Sequence, residues 1–251
     1  MQLIKPNWAA PAHIHAYSTT RLGGISEGEF LGLNLATHVA DLELHVLKNR
    51  ALLTEYLLAN EQLHAPDFCW LNQTHSHDLV KLSASTAQAV NADASWTNNN
   101  ERTCVVMTAD CLPVLVTDKQ GSFVAAIHAG WRGLCDGIIE NSIEHICNTL
   151  SVKPDQLLVW LGPCIGPTAF EVGDEVRAQF VQQNTQASKA FVASNDKWLA
   201  NLHLLAKLRL TKFTGITITE SDLCTFNEAE LFYSYRRDGR TGRLASFIWI
   251  D

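Results

Sequence analysis

The stretch TADCLPVL, residues 108–115, sets Cys111 beside Asp110 and just ahead of Pro113, in the seam between two apolar runs. Downstream, HAGWRG opens on His128, and upstream NQTHSHDLV carries His75 and His77. A packing cysteine needs no histidine, whereas a nucleophile or a metal ligand does. Two imidazoles and one thiolate with an open fourth position make a catalytic zinc set. The open position admits a water whose pKa the metal lowers toward neutrality. The same residues also fit a cysteine hydrolase, with Cys111 as nucleophile, His128 as base and Asp110 or an Asn as orienter. A third reading makes Cys111 a small buried hydrophobe and His128 a hydrogen-bonded core residue.

Spacing leaves the histidines ambiguous, because residues two apart on a strand share a face, so His75 and His77 are equally placed. His13 and His15 form a second H-x-H pair. Such pairs occur in copper oxidases and in barrel-type deaminases. A barrel needs eight β/α units, which this strand-rich pattern lacks. A blue-copper site usually takes an axial methionine, and the chain has only Met1 and Met107.

Basic residues gather beside glycines. Arg21 lies in TTRLGG, Arg132 in HAGWRG, and Arg236, Arg237, Arg240 and Arg243 in SYRRDGRTGR. An arginine there presents its planar fork to phosphate or carboxylate with little steric hindrance. Arg21, Arg132 and Arg243, with Asn34 of GLNLATHV, are the candidate phosphate or substrate contacts. Glu171 and Asp174, in GPCIGPTAFEVGDEV, sit where a loop enters a helix and read as capping residues in preference to residues that serve the site.

The elements that must position these groups follow from periodicity. Residues 14–20, 68–74, 77–83, 103–108, 112–118 and 122–129 read as strands, with DKQG at 118–121 as a turn. Helical period covers 44–59, with Leu44, Leu47, Ala51, Leu52 and Tyr56 on one face, and 134–150. Further helices are expected over 174–184 and 199–213, a buried strand over 157–160, and a C-terminal hairpin turning at Asp238–Gly239 or Thr241–Gly242. No glycine-rich phosphate loop follows the first strand. The pattern predicts an α+β fold, a layered single domain over 1–251 with mixed and antiparallel sheets flanked by helices.

Composition narrows the class further. The chain has 251 residues, 47% hydrophobic and 18% charged, which is ample for a large core. A formal net charge of −7 argues against a general nucleic-acid binder. The opening MQLIKPNWAAPAHIHAY lacks a signal-peptide pattern, and no run approaches the roughly 20 apolar residues of a membrane helix. Seven cysteines without a C-x-x-C pair read as reduced thiols, so a cytoplasmic protein is expected.

Taken together, TTRLGG, GLNLATHV, NQTHSHDLV, TADCLPVLVTD, AAIHAGWRG, GPCIGPTAFEVGDEV and SYRRDGRTGRLASFIWI closely resemble the YfiH family. The motifs run in family order from about Ser18 to Ile250. Members are described as laccase-like or polyphenol oxidase proteins and as purine nucleoside-processing enzymes. The resemblance implies zinc, in preference to copper, on His75, Cys111 and His128, with His77 at a variable position. It implies phosphorolysis of adenosine, guanosine, inosine and methylthioadenosine, and deamination of adenosine. Some bacterial members are linked to editing of peptidoglycan precursors. Asp110 is then a candidate proton carrier, or a turn cap beside Cys111. Expected partners are purine nucleosides and phosphate, with no nucleic acid or membrane, and a homodimer is the candidate assembly.

Overall fold

Successive residues of the central strands serve two different cores, which is why their sequences read as unbroken apolar runs. The computed structural model describes residues 1–61 and 67–251. Its first part holds β1 (Leu3–Ile4), β2 (Ile14–Thr19), α1 (Glu43–Glu61), β3 (Phe68–Cys69), β4 (Leu79–Lys81) and β5 (Ala94–Thr97). The middle holds β6 (Thr103–Thr108), β7 (Leu112–Asp118), β8 (Val124–Ala129), α2 (Trp131–Cys135), α3 (Ile138–Leu150) and β9 (Leu157–Leu161). Then come β10 (Glu171–Val172), α4 (Asp174–Gln183), β11 (Phe191–Ser194), β12 (Lys197–Ala200) and α5 (Leu202–Leu210). The chain closes with β13 (Thr217–Glu220), α6 (Tyr235–Asp238) and β14 (Leu244–Ile250).

One sheet has the order β1-β2-β14-β6-β3, a second β13-β9-β7-β8-β5-β4, and a small third β10-β12-β11. The first two stack face to face. Ala16, Cys104, Val106 and Ile248 of the five-stranded sheet meet Leu115, Val124, Ala126 and Trp160 of the six-stranded one. Their sequence neighbours point the other way. Tyr17, Val105 and Phe247 pack under Leu53 and Leu57 of α1. Val114, Val116, Ala125 and Ile127 pack under α3 and α5. The result is an α+β sandwich, two sheets between two helical covers, with the period-2 alternation of strands feeding both faces. Each fully buried Leu, Ile or Phe contributes about 1.5–3 kcal/mol relative to exposure.

The structure revises several local expectations. The helix expected over 134–150 is two helices, because Gly137 adopts a left-handed φ of 92° between them. In α1 the buried side is Val46, Asn49, Leu53 and Leu57, while Leu44 and Leu47 face solvent. Pattern alone chose the wrong stripe because α1 carries leucines on more than one side. The strands expected over 68–74 and 77–83 shorten to β3 and β4, since the polar NQTHSHD between them forms a loop. The helix expected from 199 starts at Leu202, capped by the Asn201 side chain accepting from the Leu204 N–H. No C-terminal hairpin forms. Residues 235–238 make the short helix α6, and β14 runs alone into the sheet between β2 and β6. Among the described residues, no helix is long and apolar enough to cross a membrane.

Candidate metal centre

Three chain segments converge where the two large sheets part. Cys111 immediately precedes β7, and His128 is the penultimate residue of β8. The β7–β8 register pairs Leu112 with Ala129 and Pro113 with His128, so the ladder itself brings Cys111 beside the end of β8. His128 shares the parity of Val124 and Ala126 and lies on the face between the sheets. His75 arrives on the 70–78 loop with a positive φ of 60°. Such backbone is uncommon outside glycine and gathers at functional sites.

The donor atoms of His75, Cys111 and His128 lie within 4.8 Å of one another, a group able to hold a metal ion. Cys111 Sγ is 4.0 Å from His75 Nε2, and the His75 and His128 rings meet edge to face at 4.9 Å between centroids. These three side chains would hold one ion, for which a thiolate and two imidazoles are a usual zinc donor set. Space is reserved for them. A Cβ at Gly130 would stand 3.0 Å from His75 Cδ2 and 3.3 Å from Cys111 Sγ. The soft thiolate, the two imidazoles and the emptied side of Gly130 all fit a zinc-type ion.

A fourth residue organises the trio, and sequence reasoning missed it. Asp93, fully buried, stands one register step beyond the Ala94–Ile127 pair, opposite His128. Its carboxylate takes the His128 Nδ1 at 2.7 Å, which leaves Nε2 for an ion. The same carboxylate accepts the backbone N–H groups of Thr74, His75 and Ser76 at 3.0, 3.1 and 2.7 Å. It also accepts the Ser76 hydroxyl at 2.9 Å. One side chain therefore sets the ring of His128 and the loop that carries His75, a metal-site support of the second coordination sphere. In the sequence its one signal was an acid directly before an unassigned strand, in NADASW.

The electrostatics follow. Burial alone pushes the Cys111 thiol up, but the charge of His128 and hydrogen bonds from His128 and His75 bring it down to about 6. Burial pushes His128 down, yet the Cys111 thiolate and the Asp93 bond carry it up to about 9. Burial works against ionised Asp93, and the His128 and Ser76 hydrogen bonds nevertheless hold it well below the usual carboxylate range. Between those values the metal-free site is a thiolate–imidazolium pair backed by a carboxylate.

The trio opens into a cavity of about 380 Å³, of ordinary size for a small-molecule site. Arg243, His38, Gln73 and Tyr235 share its walls. Arg243 Nη1 is held by the carbonyls of Thr241 and Gly242, and its ring-stacking neighbour is Tyr235 at 5.9 Å. Asn34 is buried below it. The Asn34 amide oxygen accepts the Arg243 backbone N–H at 2.9 Å, so Asn34 fixes the arginine from behind. Gln73 clamps the cavity floor through a two-way amide pair with Met107.

Other sequence candidates stand elsewhere. Arg132 is exposed on α2, 4.4 Å above the Trp131 ring, and does not line the cavity. Arg21 spends its guanidinium on the carbonyls of Leu31 and Ala229 and stacks on Tyr233. Asp110, at a φ of 89°, gives its two carboxylate oxygens to the Thr225 hydroxyl and the Arg236 N–H, each at 2.7 Å. His77 is exposed and outside the cluster, and His15 stacks on Trp249. Asp174 accepts from the Trp198 indole, and Glu171 pairs with Lys197.

The fold and the sequence coincide with a known class. Residues 15–251 match the family described as multi-copper polyphenol oxidoreductase laccase, and the chain belongs to that family. A Haemophilus influenzae protein named purine nucleoside phosphorylase is 46% identical over 254 residues, spanning 100% of both chains. A Shigella flexneri protein named purine nucleoside phosphorylase YfiH is 45% identical over 249 residues, spanning 99% of both. A solved Neisseria meningitidis protein superposes with a TM-score of 0.91 at 40% identity, over 100% of both chains.

Proposed function

We propose that this chain is a zinc-dependent purine nucleoside phosphorylase that also deaminates adenosine. The observation that carries the reading is a single cavity lined by both the His75–Cys111–His128 trio and Arg243. The relatives' names supply the substrate class, and the donor set favours zinc. Among the described residues this trio is the one cluster of metal-type donors, which weighs against a copper oxidase with several ions.

Bound there, zinc would supply Lewis-acid activation of the oxygen nucleophile. The protein's own residues do the rest. Asp93 fixes the His128 imidazole and the backbone that carries His75, and Cys111 contributes the anionic ligand. Arg243, anchored by Asn34, binds phosphate and orients it toward the ribose C1′. Asp110, whose two carboxylate oxygens accept from the Thr225 hydroxyl and the Arg236 N–H, positions the turn before Cys111. The purified protein should hold about one zinc per chain, and Cys111→Ala should lose most of it. Wild type should release free base from inosine only with phosphate present, and ammonia from adenosine without it. Nucleoside binding with no turnover under either condition overturns the reading.

A second reading rests on one specific observation, the Cys111–His128–Asp93 relay with its lowered thiol and raised imidazole. That is the constellation of a cysteine hydrolase. Its mark is a metal-free wild type whose Cys111 is alkylated as a thiolate near pH 7 with loss of hydrolytic activity.

A further inference from the structure

The chain contains a second pair of cysteines, outside the trio and independent of the reading above. Cys164, in the turn after β9, and Cys224 are partners of an isolated parallel bridge. Directly paired residues of neighbouring strands sit about 4.7–5.5 Å apart with side chains on one face. That spacing lies inside the roughly 4.4–6.8 Å window of disulfides. The Cys224 sulfur already leans over the partner strand, since it accepts the Gly166 N–H at 3.1 Å. A Cβ at Gly166 would meet it at 3.0 Å, so the absence of a side chain there is what lets the sulfur approach.

Access separates this pair from the other cross-strand pair. Cys69 and Cys104 are register partners too, but both are fully buried between the sheets. Cys164 and Cys224 instead line a cavity of about 260 Å³, shared with His203 and Lys207. A water-sized guest needs about 30 Å³, so a hydroperoxide fits with room to spare. The two thiols are also unequal. Cys224 is half-buried and its sulfur, turned toward the Gly166 N–H, is the more accessible of the two to a guest in the cavity. Cys164 is buried, and burial together with the nearby Cys224 pushes its thiol well above the ordinary value.

We infer that Cys164 and Cys224 form a reversible disulfide on exposure to hydroperoxides. The Cys224 thiolate attacks the terminal peroxide oxygen, an S–O bond forms, the O–O bond breaks, and hydroxide or alkoxide leaves to take up a proton. Cys164 then attacks the resulting sulfenic sulfur. The S–S bond forms, the S–O bond breaks, and the departing hydroxide takes the Cys164 proton as water. Two thiols lose two electrons and the peroxide gains them. The link fastens two segments that both grip Asp110. Ile165 donates its N–H to the Asp110 carbonyl at 2.9 Å, and Thr225 holds the Asp110 carboxylate. Asp110 directly precedes Cys111, so oxidation stiffens the backbone beside the candidate metal centre.

The test treats the metal-loaded full-length protein with a few equivalents of hydrogen peroxide, then blocks free thiols, digests without reductant and reads cross-links by mass spectrometry. The expected product is one Cys164–Cys224 link, lighter by two hydrogens and reversed by dithiothreitol. Cys164→Ala should stop at a Cys224 sulfenic acid that dimedone traps, and Cys224→Ala should leave Cys164 a free thiol. Should a variant fail to fold, the wild-type cross-link map decides alone. Full alkylation of both cysteines after peroxide overturns the inference, as does a Cys69–Cys104 link forming first. Oxidation of Cys164 in Cys224→Ala at the wild-type rate overturns the order of attack.

Discussion

Asp93 and His128 face each other across the β5–β8 ladder, joined twice: His128 donates its backbone N–H to the Asp93 carbonyl at 2.7 Å, and its Nδ1 meets the Asp93 carboxylate at 2.7 Å. A backbone register and a side-chain pair thus fix the same imidazole. The rest of the carboxylate holds residues 74–76, so the positions of both histidines depend on one acid.

Replacing that acid by its amide tests the dependence. In Asp93→Asn an NH₂ group must face donors, either at His128 or at Thr74 and Ser76, and some of those bonds fail. Zinc affinity, measured by competition with a chromophoric chelator, should fall about 10–100-fold, as for other lost supports of ligating histidines. Thermal stability of the metal-free protein should fall too, because buried donors lose their acceptor. Wild-type zinc affinity in this variant would remove Asp93 from the site.

Gly130 offers a subtler probe. Its backbone, at φ −63° and ψ 158°, suits any residue, so the need for glycine is one of space alone. Gly130→Ala puts a methyl 3.0 Å from His75 and 3.3 Å from Cys111. Metal content after dialysis against trace zinc should drop well below one per chain, while the melting temperature without metal moves by only a few degrees. A fully loaded Gly130→Ala would show that His75 yields freely.

Metal uptake should release protons with a definite pH dependence. Between about 6 and about 9 the metal-free site holds an ionised Cys111 and a protonated His128. Binding requires the thiolate and a neutral imidazole, so it expels the His128 proton. Apparent affinity therefore rises about tenfold per pH unit across that window and more steeply below it, where the thiol is protonated as well. Above about 9 the slope flattens. Titration calorimetry in buffers of different ionisation enthalpy should report about one proton near pH 7.5. No release there would mean that the pair is already neutral.

The arginines separate by location. Arg243 lines the cavity and Arg132 does not. Arg243→Gln should raise the phosphate KM or lower phosphorolytic turnover by roughly 10-fold or more, about 1.4 kcal/mol per decade. Adenosine deamination and zinc content should change little. Arg132→Gln should leave both reactions within about twofold of wild type. Equal losses of both activities with loss of zinc in Arg243→Gln would make that arginine structural.

Much of the layered architecture was legible because strands buried on both faces leave a strong mark. The runs at 103–108, 112–118 and 122–129 became β6, β7 and β8, and Cys111 and His128 stood out by type at strand ends, while His75 was told from His77 only by the family resemblance. What the sequence could not convey is who faces whom. The stripe of α1 was ambiguous because leucines lie on several sides, and only docking against Phe247 and Tyr17 selects Leu53 and Leu57. The C-terminal hairpin rested on two turn dipeptides. The chain instead bends through α6, where Arg237 ties the carbonyls of Thr225, Phe226 and Phe232, and β14 finds its partners in strands far away in sequence.

Local chemistry, then, was set by the sequence alone: which residues can ligate, which runs must be buried, where turns are permitted. Only the tertiary structure decided that Asp93 meets His128, that Gly130 must lack a side chain, and that Arg243 and not Arg132 shares the cavity. These are relationships between segments tens of residues apart. They arise from strand register and sheet stacking, which minimise exposed apolar surface over the whole chain, and no local pattern encodes them.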